Sequence, residues 1–228
     1  MVLSLKNIFL KQGDFSLSAN LTIADPGVTA VIGPSGGGKS TLLSLIAGFS
    51  LPDRGSVTWM DSDLTNLPPG ARPVAMLFQD NNLFPHLDSL MNVALGGAPV
   101  PRPDAQTLDR ASAALGRVGL TGLETRKPAE LSGGQQSRIA LARLLLTDRP
   151  VILMDEPFSA LGPAQRREML ALVKELLPEA TLLMVTHDPE DAREAERTIL
   201  VVDGKVAPPC DTKSLFADPP PELESYLR

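Results

Sequence analysis

The chain has 228 residues, 43% of them hydrophobic, enough to bury a full core in one large α/β domain or in one domain with a sizeable insert. Its net charge of −6 weighs against a large nucleic-acid footprint, and its single cysteine, Cys210, excludes an internal disulfide and suits a reducing compartment as an inert thiol. No stretch approaches the ~20 apolar residues that span a bilayer, and the opening MVLSLKNIFLKQGD turns polar too soon for a secretion signal; any work at a membrane needs a partner that does the spanning.

Taken in chain order, the first buried-strand pattern is VTAVIG, Val28 to Gly33: short, rich in β-branched residues and almost continuously apolar, as in a sheet covered on both faces. It runs straight into GPSGGGKST, which fits G-x-x-x-x-G-K-[ST] from Gly33 through Pro34, Ser35, Gly36, Gly37 and Gly38 to Lys39 and Ser40, with Thr41 following. Glycines let successive N–H groups curl inward around a phosphate, and the start of the next helix adds partial positive charge. Lys39 brings a point charge to the outer phosphates and Ser40 a hydroxyl for Mg²⁺. A flexible Gly/Ser linker would not sit between a buried strand and the helical pattern Lys39 to Ala47, which stops at Gly48.

VAMLFQ, Val74 to Gln79, predicts the next strand and delivers Gln79 at its end. From Asp80 to Thr147 strand patterns fade, and helical segments such as Asp104 to Val118 alternate with loops such as GGAPVPRPDA; this predicts a helical insert. Within it, LSGGQ (Leu131 to Gln135) places Ser132 as an N-cap, with Gly133 and Gly134 exposing backbone N–H groups at the head of a helix from about Gly134 to Leu146. The chain thus holds two helix starts suited to an anion, although one suffices to hold one nucleotide.

VILMDE then predicts a buried strand carrying Asp155 and Glu156 to its carboxyl end, where ligands bind in open α/β sheets. Beside a phosphate loop, Asp155 suits the hydration shell of Mg²⁺, and Glu156 is left to polarise an attacking water. A helix over about Pro163 to Leu177 follows, with Pro163 in its first turn. TLLMVTH, Thr181 to His187, brings His187 to the same sheet edge, where it suits the γ-phosphate, and TILVVDG is the last strand pattern before a peripheral tail, FADPPPELESYLR. Strands alternating with helices predict an α/β core.

The Lys39 loop, Gln79, LSGGQ, Asp155 with Glu156, and His187, in this order, resemble the ATP-binding cassette (ABC) ATPase family over nearly the whole chain. The resemblance implies an α/β P-loop NTPase core with a parallel-rich sheet, an N-terminal antiparallel β part and an inserted helical subdomain: a single ATPase domain over 1–228, with its core in 1–79 and 148–228 and the helical subdomain in 80–147. It implies ATP and Mg²⁺ as cofactors and a head-to-tail homodimer in which the Lys39 loop of one copy and the Ser132 loop of the other close on the same ATP, which accounts for the two anion sites. By the same resemblance, Ser35 to Thr41 cradle the phosphates, and Ser40 and Gln79 ligate Mg²⁺ with Asp155 in its outer shell. Glu156 is the general base, His187 contacts the γ-phosphate, and Ser132, Gly134 and Gln135 reach the partner's ATP. An early aromatic stacks on adenine in this family; the candidates are Phe9 and Phe15, with Phe15 the expected one. Gly162, in SALGP, stands where the family usually has an Asp that helps tie the two sites together.

A lone cassette resembles the ATPase subunit of bacterial importers, placed peripherally at the cytoplasmic face of the inner membrane. Residues 80–95 match the region that receives a helix from the transmembrane permease, with Phe84, Pro85 and Leu87 as an apolar groove, and a periplasmic solute-binding protein would act indirectly. RPVAMLFQDNNLFPHL and TLLMVTHDPEDA resemble thiamine importer ATPases, whereas LTIADPGVTAVIGPSG resembles molybdate importer ATPases. Thiamine is the expected solute, since the chain stops soon after its last strand and lacks the added C-terminal domain of many sugar and some molybdate relatives. Cassettes of DNA repair or translation fit less well: no coiled-coil insert or second cassette is present, and the acidic balance argues against a nucleic-acid partner, so none is expected.

Overall fold

The computed structural model describes residues 2–24 and 26–227. Along the chain run β1 (Val2–Gln12), β2 (Phe15–Ala24), β3 (Gly27–Ile32), α1 (Lys39–Ala47), β4 (Arg54–Trp59), β5 (Ser62–Asp63), β6 (Val74–Leu77), α2 (Ser89–Gly97), α3 (Ala105–Arg117), α4 (Gly133–Leu145), β7 (Val151–Asp155), α5 (Pro163–Leu176), β8 (Thr181–Val185), α6 (Pro189–Arg193), β9 (Arg197–Val202), β10 (Lys205–Val206), β11 (Cys210–Asp211), α7 (Thr212–Ala217) and α8 (Pro221–Leu227). The tail therefore ends in a helix, Pro221–Leu227, with Leu223 buried; Arg228 lies outside the described residues.

The chain divides into two compact units. One comprises the described residues of Met1–Met76, Pro150–Glu156 and Glu179–Arg228. Its sheet runs β5-β4-β1-β2-β10-β9-β3-β8-β7-β6, with β11 also on β9. The half around β3 is parallel: β3 pairs with β8 and β9, and β7 with β8. The amino-terminal half is antiparallel, through β1 with β2 and β4, and β4 with β5.

The β1 register shows how that half closes. Leu3 and Leu5 are buried on one phase and Ile8 and Leu10 on the other, and the pairing with β2 shifts between Leu5 and Ile8, where Asn7 adopts φ 49°. One extra residue restores the apolar set to the core face after the phase break. β2 needs no such device: Leu17, Ala19, Leu21 and Ile23 alternate cleanly inward. These side chains meet α1, whose Leu42, Leu43, Leu45 and Ile46 are fully buried.

The second unit comprises Leu77–Arg149 and Pro157–Pro178. No strand lies within 80–147; α2, α3, α4 and α5 build the unit around Val93, Leu115, Ile139, Leu141, Leu144 and Val173. Asp88 and Asp104 cap α2 and α3 by accepting hydrogen bonds from the N–H groups of Met91 and Thr107, both at 2.8 Å. Pro163 opens α5 behind Gly162, an N-cap with no side chain to offer.

Candidate active site

Three neighbouring parallel strands bring their carboxyl ends together. Asp155 of β7 sits opposite Val185 of β8, and Val185 opposite Val31 of β3. Just beyond these pairs the chain leaves the sheet as the Gly33–Gly38 loop, as Glu156 and as Thr186–His187. Hydrogen bonds from Glu156 N–H to Val185 O at 3.0 Å and from Thr186 N–H to Val31 O at 3.3 Å hold the exits side by side.

The loop is shaped by positions only glycine can fill. Gly38, the N-cap of α1, has φ 111°, and a Cβ there would come within 2.9 Å of the Phe15 ring. Lys39 folds back across the loop, donating from Nζ to Gly33 O at 2.8 Å and Pro34 O at 3.1 Å. Phe15, Ser35, Gly36, Gly38, Lys39, Ser40, Thr41 and Glu156 line a cavity of about 270 Å³. Phe15, the first residue of β2, is thus at the loop, while Phe9 pairs with Ser18 and Arg54 in the middle of the antiparallel half.

Ser40 donates from Oγ to Asp155 Oδ1 at 3.4 Å, and Glu156 Oε2 lies 3.1 Å from His187 Nδ1. An ionised carboxylate only accepts, so this contact is a hydrogen bond when the imidazole carries a proton on Nδ1. Glu156 holds φ 47°, a left-handed backbone that is costly for a side chain with a Cβ and that concentrates at working sites. Burial pushes the Lys39 pKa down, against the opposing pull of Glu156 and Asp155. Burial likewise pushes the Asp155 carboxyl up, against the Ser40 hydrogen bond. Among the described residues no group of three or more His, Cys, Asp or Glu could cage a metal by itself. One hydroxyl and one carboxylate beside a phosphate cradle do fit Mg²⁺, which takes few protein oxygens and completes its shell with phosphate and water.

The second unit carries the other expected residues. Gln79 is exposed and lies two residues past the end of β6, so the strand is shorter than VAMLFQ suggests; Phe78 and Gln79 belong to the turn that follows. Ser132 caps α4: its Oγ accepts from Gln135 N–H at 3.3 Å while Gln135 Oε1 accepts from Ser132 N–H at 2.9 Å. In this reciprocal box Ser132 uses an acceptor site, and its own O–H remains to donate. Gly133 and Gly134 form the first turn of α4.

Arg72 is a site-related residue that the sequence reading passes over. It is fully buried and donates from Nη1 to Leu45 O at 2.7 Å and Ile46 O at 2.9 Å, from Nη2 to Thr65 O at 2.9 Å, and from Nε to Leu67 O at 2.9 Å. Its cation thus sits on the last-turn carbonyls of α1, the negative end of the helix whose head bears Lys39 and Ser40. No local pattern could flag it, because the helix acceptors are backbone atoms 26 and 27 residues away.

The family profile described as "ABC transporter" matches residues 17–159. The chain is 57% identical to the Thiamine import ATP-binding protein ThiQ of Cereibacter sphaeroides over 99% of both chains, and 53% identical to that of a Ruegeria species over 99% of both. Among solved structures it resembles an ATP-binding cassette of an ABC transporter with a TM-score of 0.88 at 26% identity, covering 100% of this chain and 98% of that one. It also resembles a dimeric cassette in a post-hydrolysis state bound to ADP and Pi, with a TM-score of 0.76 at 31% identity, covering 92% of this chain and 98% of that one. Sequence, fold and the order of the phosphate loop, the capped glycine turn and the acidic strand end agree: the chain belongs to the ABC transporter family, as one of its ATP-binding cassettes.

Proposed function

We propose that this chain is the ATP-hydrolysing subunit of a thiamine importer, working as a homodimer on the cytoplasmic face of the membrane. No helix among the described residues is long and apolar enough to cross a bilayer; in this reading permease subunits supply the transport path. The observation that carries the ATPase reading is the junction of the Lys39 loop, Asp155, Glu156 and His187 at adjoining strand ends. Thiamine as the solute is supported by the relatives that bear that name along their whole length.

In this reading the phosphates of ATP enter the 270 Å³ cavity against the N–H groups of the loop, and Lys39 exchanges Gly33 O and Pro34 O for phosphate oxygens. Ser40, Gln79 and Asp155 would hold Mg²⁺, directly for the first two and through water for Asp155; when bound, the ion neutralises charge on the β- and γ-phosphates. Glu156 orients a water toward the γ-phosphorus and accepts its proton as the new P–O bond forms and the bond to the β-phosphate oxygen breaks. His187, whose Nδ1 lies 3.1 Å from the Glu156 carboxylate, would contact the γ-phosphate. Ser132, Gly134 and Gln135 of a second copy close the site, and Phe15 supports the base. Residues 80–147 act as the helical subdomain. Its Phe84 and Pro85 are exposed and Leu87 half-buried, a surface suited to a permease helix in the region 80–95.

The test is uptake of labelled thiamine by cells lacking this chain, complemented with the parent or with Glu156→Gln. The parent restores uptake and the variant does not. Unchanged thiamine uptake in the deletion strain would overturn the solute assignment.

A further inference from the structure

The turn after Gln79 is held from an unexpected quarter. Arg143, in the last turn of α4, donates from Nη2 to Asn81 O at 2.6 Å and from Nη1 to Asn82 O at 2.7 Å. Both acceptor residues are left-handed, with φ 56° and 45°, and two consecutive side-chain-bearing residues in that region need an external hold. A planar guanidinium fork suits two successive carbonyls as no single ammonium can. Asn81 adds a second tie to α4 by donating from Nδ2 to Ser137 Oγ at 3.3 Å, and Ser137 is itself buried.

The far side of the segment is pinned by α2. Asn92, fully buried, accepts from Phe84 N–H at 2.8 Å and donates to Phe84 O, Leu87 O and Asp88 O at 3.0–3.1 Å. The two helices are locked together where Gly96 meets the Arg143 carbonyl, an approach so close that a Cβ at Gly96 would overlap that oxygen. The segment from Asn81 to Asp88 is therefore clamped between α4 and α2. The same α4, about 20 Å long for its 13 residues, carries Ser132 at its head.

We propose that Arg143 is a positioning residue for the ATPase reaction: its guanidinium ties the Asn81–Asn82 turn, and through it the aim of Gln79, to the helix that bears Ser132. The inference rests on the reading of Gln79 as a Mg²⁺ ligand and of Ser132 as a contact to the partner's nucleotide. A shift of α4 at its Ser132 end then moves the Gln79 turn and the Phe84–Leu87 surface together. Arg143 touches neither nucleotide nor metal in this arrangement; it acts through two carbonyls.

Arg143→Gln, which loses the charge and the fork, and Arg143→Lys, which keeps the charge alone, test this in the full-length chain. Hydrogen exchange without nucleotide should rise about tenfold at the amides of 79–84 in Arg143→Gln, while the 33–41 loop stays as in the parent. Steady-state ATPase should show kcat lowered about tenfold, as expected for an outer support of a metal ligand, with KM for ATP unchanged and a higher Mg²⁺ requirement. Arg143→Lys should lie between, and it carries the test if Arg143→Gln does not fold. Unaltered exchange at 79–84, exchange raised equally in 33–41, or a normal kcat and Mg²⁺ dependence would each overturn the proposal. Gln79→Ala separates the two layers: if it leaves kcat intact, the reading of Gln79 fails; if it lowers kcat and the Arg143 variants do not, only the inference fails.

Discussion

Replacing Arg72 by Met keeps the length of the buried stem and removes every donor at its tip. Four backbone carbonyls then lose a charged partner, Leu45 O and Ile46 O in the core and Thr65 O and Leu67 O nearer the surface. A hydrogen bond to a charged group contributes about 1.5–3 kcal/mol, but four bonds from one guanidinium do not add. Burial lowers the Arg72 pKa, so part of the gain is already offset by the cost of taking the cation out of water. The net expectation is a loss of about 2–4 kcal/mol, since the groups left without a donor are neutral carbonyls rather than a buried charge. In a chain of this length that lowers Tm by roughly 10 °C. Thermal unfolding followed by circular dichroism reads the change. A titration with a fluorescent ATP analogue on the folded variant reads whether α1 still presents Lys39 and Ser40. Arg72→Lys should fall between the two. A loss below about 1 kcal/mol in Arg72→Met would refute the claim that this clasp holds the carboxyl end of α1.

Two further substitutions separate stability from activity. Gly162 has an ordinary extended backbone, φ −68° and ψ 160°, and open space where a Cβ would go, so Gly162→Asp should cap α5, add a few tenths of a kcal/mol and leave ATPase activity equal or higher; a large loss of activity would mean that the absence of a side chain is itself required. The folded pKa of Asp155 is raised above its ordinary value, so the native state binds more protons than the unfolded one and loses stability as pH rises through the window from the ordinary carboxylate value to the raised one. Asp155→Asn should therefore raise Tm of the nucleotide-free chain by a few degrees at pH 7, lose that advantage below about pH 4, and abolish Mg²⁺-dependent hydrolysis; a lower Tm at pH 7 would contradict it.

The parallel half of the sheet is legible because its strands are buried on both faces and read as unbroken apolar runs, and α1 is legible to the residue because Gly38 and Gly48 punctuate it. The antiparallel half is expected from the family resemblance and not from the pattern of β1. β1 changes phase at its bulge, so no single alternation runs through Leu3, Leu5, Ile8 and Leu10. At the site, the Lys39 loop, Asp155, Glu156 and His187 could be placed because each follows a recognisable strand. Gln79 looked like a strand end but lies beyond it, since an apolar Phe78 extends the pattern past the last ladder residue. The clasps of Arg72, Asn92 and Arg143 stayed hidden for one reason: they bind backbone carbonyls, which carry no sequence signature.

The central claim is that two copies, facing opposite ways, complete each ATP site. Static light scattering of the Glu156→Gln chain with Mg-ATP tests it most directly. The account predicts a dimer with ATP, a monomer without it, and a monomer again when Ser132→Arg is added to the same chain while its affinity for ATP is retained. A Glu156→Gln chain that stays monomeric at saturating Mg-ATP, or a dimer indifferent to Ser132→Arg, would contradict it.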